Sequence, residues 1–180
     1  MTKIEGVIPA IRNLKDFEQA LQTKHKWIVI LEVRLGQLRS VVNYAKRANK
    51  KVLLHIDLVQ GLKADEYGVE FLLNDIKVDG IVSTRGSVIE LAKKRGVLAV
   101  QRMFLLDSLS LKTDVRISSR YEPDYIEVLP GKLPEVIKEI SENTSIPIIA
   151  GGLINTEADV QNAYQSGAIA ISTSKKSLWK

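Results

Sequence analysis

The stretch PIIAGGLINTEADVQNAYQSGAIAISTS, residues 147–174, contains the repeating unit of this chain. An apolar run at 147–152 is followed by a segment of helical period, and a second apolar run closes the unit at 168–174. Thr156 and Asp159 resemble a capping box at the start of the helical segment. Because the runs are almost continuously apolar, they are typical of parallel strands that are covered on both faces. The stretch therefore predicts a strand–helix–strand unit.

The same alternation continues along the whole chain and predicts eight strands. They lie at 7–11, 27–33, 51–57, 80–84, 98–104, 125–130, 147–152 and 168–174, with helical segments at 13–23, 36–49, 65–75, 87–95, 108–120, 133–143 and 156–166. Eight units joined by right-handed crossovers close naturally into a (β/α)8 TIM-type barrel. A doubly wound open sheet is the alternative, but eight units without a second domain favour closure. We therefore predict one compact α/β barrel domain over residues 1–180.

Composition narrows the class of protein. The chain has no cysteine, so disulfides and thiolate chemistry are excluded. The N-terminus lacks the apolar run of a signal peptide, and no apolar stretch approaches the roughly 18 residues that span a bilayer. We expect a cytoplasmic protein with no membrane partner, and an oligomer is compatible with the sequence. Residues 1–120 carry 21 Lys and Arg against 13 Asp and Glu, which favours an anionic partner.

The ends of the last two strands predict a phosphate site. Barrels that bind phosphorylated ligands often hold the phosphate with the loops after strands 7 and 8. Glycine lets a backbone approach an anion closely, and main-chain N–H groups favour negative charge. A tight turn followed by a helix cap is the simpler interpretation of these residues. The predicted phosphate-binding residues are Gly151, Gly152, Ser172, Thr173 and Ser174.

Polar residues at the other strand ends predict the rest of a ligand-binding mouth. Asp57 and Glu127 are candidates for hydrogen bonds to ligand hydroxyls, for acid/base chemistry or for cation binding. Gln101 or Arg102 is expected to join them, and period-2 counting favours neither of the two. His55 shares a strand face with Asp57, although a satisfied core histidine is favoured for it. The arginines expected to pair with these carboxylates or with a phosphate are Arg12, Arg85 and Arg102.

Several chemistries find no support in the sequence. No lysine sits at a strand end proper, so a Schiff-base aldolase is not indicated. The sequence contains neither a Cys/His metal cluster nor a dinucleotide fingerprint. We therefore expect no metal, no cofactor and no assigned catalytic residue.

The segment RLGQLRSVVNYAKRANKK, residues 34–51, is a candidate nucleic-acid surface. It contains six basic residues and no acid, whereas surface helices usually mix charges of both signs. The simpler interpretation is a solvated helix face; the alternative is contact with RNA phosphates. The candidate RNA-binding residues on this face are Arg39, Lys46, Arg47 and Lys50.

Across residues 8–179 the chain resembles the bacterial glycerol-3-phosphate-responsive antiterminators, the glycerol uptake operon antiterminator regulatory proteins. The matching segments are IPAIRN, LGQL, HIDLVQGLKADEYGVEFL, GIVSTR, QRMFLLDS, PDYIEVLPG, PIIAGGLI and STSKKSLW. The resemblance implies a phosphate-binding (β/α)8 barrel that senses glycerol-3-phosphate as its effector. It also implies a regulator that acts on the leader mRNA of glycerol-utilisation genes, so that transcription continues past a terminator.

Two other functions stay open at the level of sequence. A small barrel isomerase or lyase could act on a phosphorylated metabolite with Asp57 and Glu127 as its acid/base pair. A metabolite-binding module could instead work through a protein partner. For the sensor, residues 57–68 are expected to form a long loop that orders on ligand binding.

Overall fold

Eight parallel strands form a closed barrel in the computed structural model, which describes residues 3–105 and 120–180. Each strand pairs with the strands before and after it in the chain, and the last pairs with the first. The strands are β1 (Gly6–Ile11), β2 (Trp27–Ile30), β3 (Lys51–His55), β4 (Gly80–Ser83), β5 (Leu98–Phe104), β6 (Tyr125–Leu129), β7 (Ile148–Gly151) and β8 (Ala168–Thr173). The predicted (β/α)8 barrel is therefore confirmed, and the open-sheet alternative is wrong.

Helices connect successive strands on the outside of the barrel. The α-helices of the described residues are α1 (Phe17–Gln22), α2 (Leu35–Arg47), α3 (Glu66–Phe71), α4 (Gly86–Lys94), α5 (Pro134–Asn143) and α6 (Glu157–Gln165). One π-helical turn, Leu72–Ile76, extends α3. The helix predicted at 108–120 lies, except for Arg120, outside the described residues. In the two described ranges, no helix is both long and apolar enough to cross a membrane.

Alternate residues of the strands pack into two separate layers. One set faces the barrel axis and forms an interior core, which includes Ile8, Val29, Leu53, Val100 and Ile149. The intervening residues face the helices and form the outer cores, which include Ile28, Leu54, Ile81, Val128 and Ile171. Because both strand faces are buried, the strands appear in the sequence as unbroken apolar runs.

The segment between β3 and α3 has secondary structure of its own. A 3₁₀ turn covers Ile56–Leu58, and Val59–Gln60 pairs with Val33–Arg34 in a two-stranded sheet. Asp65 then caps α3, because its side chain accepts a hydrogen bond from the N–H of Gly68. The expectation that residues 57–68 form an unstructured loop is therefore wrong, and the inference that they order on binding loses its basis.

Candidate functional site

A cavity of about 90 Å³ opens at the carboxyl ends of β7 and β8. Because the strands are parallel, all eight carboxyl ends lie at this end of the barrel, which is where barrel enzymes and binding proteins hold their ligands. The lining residues come from six strand ends and the loops that follow them. They are Ala10, Arg12, Leu31, Arg102, Glu127, Leu129, Gly152, Leu153, Ile154, Asn155, Ser172, Thr173 and Ser174.

Glu127 is the central charged group of this cavity. One of its oxygens accepts a hydrogen bond of 2.7 Å from Nε of Arg102, and the other accepts one of 2.5 Å from Oγ of Ser172. All three side chains are buried. The register explains the first contact, because Arg102 and Glu127 are direct partners across β5 and β6. The alternatives Gln101 and Arg102 are thereby resolved, since Arg102 faces the cavity.

Positions 151 and 152 need glycine for different structural reasons. A Cβ on Gly151 would lie 2.5 Å from Oγ of Ser172 and 2.8 Å from a carboxylate oxygen of Glu127, so any side chain there would displace the Glu127–Ser172 hydrogen bond. Gly152 has a φ of +75°, which L-residues other than glycine rarely adopt. Leu153 follows with a φ of +60° and is exposed at the rim. Gly152 lines the cavity, whereas Gly151 lies beneath it and gives the Ser172 hydroxyl room.

Thr173 and Ser174, at the end of β8, have different surroundings. The hydroxyl of Thr173 donates to the carbonyl of Ile154 and accepts from the N–H of Lys175, so it ties the loops after β7 and β8 together. Its carbonyl also accepts a hydrogen bond from the indole N–H of Trp179. Ser174 is exposed and lines the cavity without such contacts among the described residues. The two loops therefore form one rigid wall.

Arg12 supplies an accessible positive charge at the mouth of the cavity. Its side chain is 70% exposed, and Nη1 lies 3.9 Å from a carboxylate oxygen of Glu32, which is itself 44% exposed. A pair this long and this exposed is weak, so the guanidinium can turn towards another anion at small cost. Arg102, by contrast, is neutralised by its buried partner Glu127.

Asp57 lies at the same end of the barrel but is not among the residues that line the cavity. Its carboxylate accepts hydrogen bonds from the hydroxyl of Ser83 and from the N–H of Thr84, and Nε of Arg85 lies 3.5 Å away. These partners all belong to the turn between β4 and α4. The structure therefore gives Asp57 a role in fixing that turn, and it does not bring Asp57 and Glu127 together in one cavity.

His55 and Gln101 are buried polar residues with unmet hydrogen-bonding capacity. Within the described ranges, Nδ1 of His55 and Oε1 of Gln101 have no hydrogen-bond partner. Burial and then the charge of Arg102 lower the pKa of His55 to about 4, although Asp57 and Glu127 act in the opposite direction. The amide of Gln101 donates to the carbonyl of Thr84. Neither residue lines the cavity, and His55 is not the satisfied core histidine that the sequence favoured.

The basic face of α2 contacts main-chain carbonyls of neighbouring segments. Arg39 donates to the carbonyl of Asp75, Lys46 to that of Lys77, and Lys50 to those of Thr23 and His25. Lys50 is buried, which lowers its pKa. Only Arg47 projects outwards, with its guanidinium carbon 5.6 Å from the ring centre of Tyr44. Helix α2 itself has no acidic residue. Its acidic partners are Asp75, in the π-helical turn, and Asp79, in the segment just before β4.

The cavity also has walls that the sequence prediction missed. Leu31, Leu129 and Asn155 line it together with the polar groups. Every second side chain of β2 and β6 faces the barrel axis, and Leu31 and Leu129 continue these two series. Counting every second residue to the end of each predicted strand would therefore have found both of them. Asn155 follows the glycine turn, and no periodic signal marks it.

Comparison with known proteins assigns the chain to a family. The family model described as "Glycerol-3-phosphate responsive antiterminator" matches residues 7–179. The crystal structure of a glycerol uptake operon antiterminator regulatory protein from Listeria monocytogenes is 45% identical, with a TM-score of 0.94 over 98% of this chain and 96% of that one. An antiterminator-related protein from Thermotoga maritima is 28% identical, with a TM-score of 0.87 over 98% and 99% of the two chains.

Two further similarities are to a protein matched by sequence and to a barrel enzyme matched by structure. YgcP of Escherichia coli (strain K12), an uncharacterised protein, is 32% identical over 96% of this chain and 91% of its own length. A deoxyribose phosphate aldolase from Aeropyrum pernix is 15% identical with a TM-score of 0.74, over 96% of this chain and 87% of that one, which shows a shared barrel alone. With the family model covering almost the whole chain, and with a solved regulator that superposes nearly end to end, this chain belongs to the glycerol-3-phosphate responsive antiterminator family.

Proposed function

We propose that this chain senses glycerol-3-phosphate in the cavity after β7 and β8 and, in response, acts on the leader RNA of glycerol-utilisation genes as a transcription antiterminator. The observation that carries the proposal is the cavity itself, where a glycine turn and a serine-rich strand end face a buried Arg102–Glu127–Ser172 network. The family membership supports the regulatory role, and the geometry supports a small ligand that is anionic at one end.

The phosphate group is placed at the loops after β7 and β8. Among the hydrogen bonds between described residues, none is donated by the main-chain N–H of Ser174, whereas the N–H of Gly152 is directed at the carbonyl of Ser172 by the pairing of Gly151 with Ser172. An unpaired N–H beside a glycine turn suits a phosphate, because oriented N–H groups stabilise an anion without the desolvation of a buried lysine. Arg12 lies at the same mouth with only a weak pair to Glu32. We therefore assign Gly152, Ser174 and Arg12 to the phosphate, with Gly151, Ser172 and Thr173 supporting that wall.

The hydroxyl groups are placed at Glu127 and Arg102. A carboxylate offers about four acceptor positions, and Arg102 and Ser172 occupy two of those on Glu127. The remaining positions can accept from ligand hydroxyls. A cavity of about 90 Å³ is about three times the roughly 30 Å³ that a water molecule occupies in the liquid. That room suits a three-carbon phosphate that extends partly into solvent and is too small for a nucleotide.

The same geometry favours binding over turnover. An acid/base pair made of Asp57 and Glu127 would need both groups at one ligand, and Asp57 is instead engaged by the turn after β4. Among the described residues that line the cavity there is no lysine that could form a Schiff base. We therefore propose that glycerol-3-phosphate is an effector and leaves the site unchanged.

Isothermal titration with sn-glycerol 3-phosphate tests the sensing step, with glycerol and inorganic phosphate as partial ligands. We expect reversible binding, much weaker binding of each fragment, and unchanged ligand after prolonged incubation. Product formed in excess over the protein would refute the sensor and favour a barrel enzyme.

The variant Gly152→Val tests the position of the phosphate. Its Cβ would lie 3.2 Å from Leu129 and would narrow the cavity. Gly96→Val is the matched control, because Gly96 has a similar φ of +71° with nothing within 4 Å of its Cβ position. We expect loss of ligand affinity in the first variant and full affinity in the second. Equal affinity in both variants would show that the phosphate does not bind at this wall.

The RNA step is tested with a leader transcript of a glycerol-utilisation operon. We expect its affinity to rise when glycerol-3-phosphate is present and to fall with salt. Because coupling between two sites is reciprocal, RNA must raise the affinity for glycerol-3-phosphate by the same factor. RNA binding that is insensitive to the effector would contradict the proposed regulation.

A further inference from the structure

The end of the barrel opposite the cavity carries a concentration of positive charge on one side. Four junctions lead from the ends of α1, α2, the π-helical turn after α3, and α4 into the next strand, at 23–26, 46–51, 74–79 and 93–97. They contain ten Lys or Arg residues against two Asp, a balance of +8, whereas the whole chain carries +5. The rest of the chain is therefore net negative.

Helix dipoles do not account for this concentration. Cations near a helix C-terminus are favourable, and α2 and α4 both end in basic residues. However, α5 and α6 have no basic residue in their last turns. The positive charge is thus confined to one half of this end of the barrel, which generic capping would not produce.

Contacts between neighbouring junctions make the cations one continuous surface. The N–H of Lys51 donates to the carbonyl of Lys26, and Lys46 donates to the carbonyl of Lys77. Lys46, Lys77 and Arg95 then line a shallow groove of about 420 Å³, together with Glu70, which lies 3.0 Å from Arg95. The row runs from Lys26 through Lys51 and Lys77 to Arg95, and we call it the basic end.

The cations of the basic end divide into anchored and free groups. Lys46, Lys50 and Lys51 hold carbonyls or carboxylates of adjacent segments. Lys93, Lys94 and Arg95 are paired with Asp124, Glu90 and Glu70. Lys24, Lys26, Arg47 and Lys77 are exposed, and no salt bridge between described residues involves them. These four charges are available to a partner, whereas three of the four cations predicted on α2 are anchored.

We infer that the basic end is the surface that binds the RNA phosphate backbone, which leaves the effector cavity at the other end unobstructed. This inference rests on the proposed function. Phosphate contacts need cations and little apolar area, whereas the core of a protein–protein interface is apolar. Of the large apolar side chains exposed in the described residues, none lies within the four junctions. Charge and composition therefore fit a polyanion better than a protein.

The test compares two variants that remove the same charge. The first is K24Q/K26Q/R47Q/K77Q at the basic end. The control, K15Q/K63Q/K132Q/K138Q, neutralises four exposed lysines outside the four junctions. The probe is a synthetic RNA stem–loop followed by a run of uridines, measured by fluorescence anisotropy over a range of salt with saturating sn-glycerol 3-phosphate. Calorimetry with sn-glycerol 3-phosphate checks that the cavity is intact in both variants.

We expect the basic-end variant to lose at least about tenfold in RNA affinity, and its log–log salt slope to fall by roughly 3, because each lost phosphate contact removes about 0.7–0.9. The control should keep most of its affinity, and both variants should bind the effector normally. Equal losses of RNA affinity in the two variants, or no loss in the basic-end variant, would show that the basic end does not bind the RNA. Neither result would contradict the proposed binding of sn-glycerol 3-phosphate.

Absence of RNA binding by the unmodified protein would instead refute the RNA step of the proposed function, and the basic end with it. A basic-end variant that binds the RNA normally but fails in a transcription read-through assay would also overturn the inference, since it would indicate an acidic protein partner.

Discussion

Two carboxylates at the same end of the barrel have opposite environments. Glu127 is inside β6, faces the barrel axis and lines the cavity, where it is paired with Arg102 and Ser172. Asp57 follows β3 in a 3₁₀ turn and is bonded to Ser83 and Thr84. In sequence both are acids near the end of an apolar run. Glu127 can contact a ligand because its strand continues past it, whereas Asp57 secures a turn because its strand has already ended.

The largest expected difference between the two carboxylates is in stability. Glu127→Ala leaves the buried charge of Arg102 without its partner, and breaking a buried pair in this way costs about 3–5 kcal/mol of the free energy of unfolding. Urea denaturation of Glu127→Ala, Arg102→Ala and the double variant measures these losses in the free energy of unfolding. The double variant should recover part of the loss. Additive losses would show that the pair is not coupled.

His55 lies between the two carboxylates and adds a pH dependence. Its pKa is about 4 in the folded chain against 6.5 for the free side chain, so the unfolded chain binds the proton first as the pH falls. The free energy of unfolding should therefore decrease between pH 6.5 and pH 4, by about 3 kcal/mol in total, and level off below. Denaturation of His55→Gln at pH 7.5 and 4.5 should lack this decrease.

The other histidine provides the control for this measurement. His25 also has a lowered pKa, caused first by burial and then by Lys24, but it is only half-buried. His25→Gln should keep most of the pH dependence. If His55→Gln kept it as well, the buried imidazole would not be its source.

Asp57→Ala is expected to lower the free energy of unfolding by a smaller amount and to leave ligand binding nearly unchanged. It removes the acceptor for the fully buried hydroxyl of Ser83, which costs about 2 kcal/mol when a buried donor is left without a partner. Affinity for glycerol-3-phosphate should stay within about twofold. A large loss of affinity would show that Asp57 contacts the ligand after all, as the sequence suggested.

Ser172→Ala should have the smallest effect on stability and a clear effect on binding. It removes one hydrogen bond to Glu127, worth about 1 kcal/mol, and leaves the carboxylate held by Arg102 alone. Because the carboxylate then has more freedom, affinity for glycerol-3-phosphate should fall more than it does in Asp57→Ala. The reverse order of affinities would contradict the assignment of Glu127 to the ligand.

The accuracy of the sequence prediction differs between these groups for a physical reason. Gly152, Ser172 and Ser174 were found because strand ends and glycine turns are local signals. Gln101 and Arg102 could not be separated, because both fit an apolar run that is buried on both faces. The register with β6 decides between them, since Arg102 is opposite Glu127. The acidic partners of the basic face of α2 could not be found from the helix itself, because Asp75 lies 36 residues after Arg39 and Asp79 lies 33 residues after Lys46.

The sequence by itself determined the barrel, the order of its strands and the end at which the cavity opens. These follow from short-range patterns, because apolar runs and helical periods repeat within a few residues. Only the tertiary structure decided which polar residues share a cavity and which lysines stay free. Those contacts join residues 25 to 45 positions apart, such as Arg102, Glu127 and Ser172, and they depend on strand register and closure of the barrel.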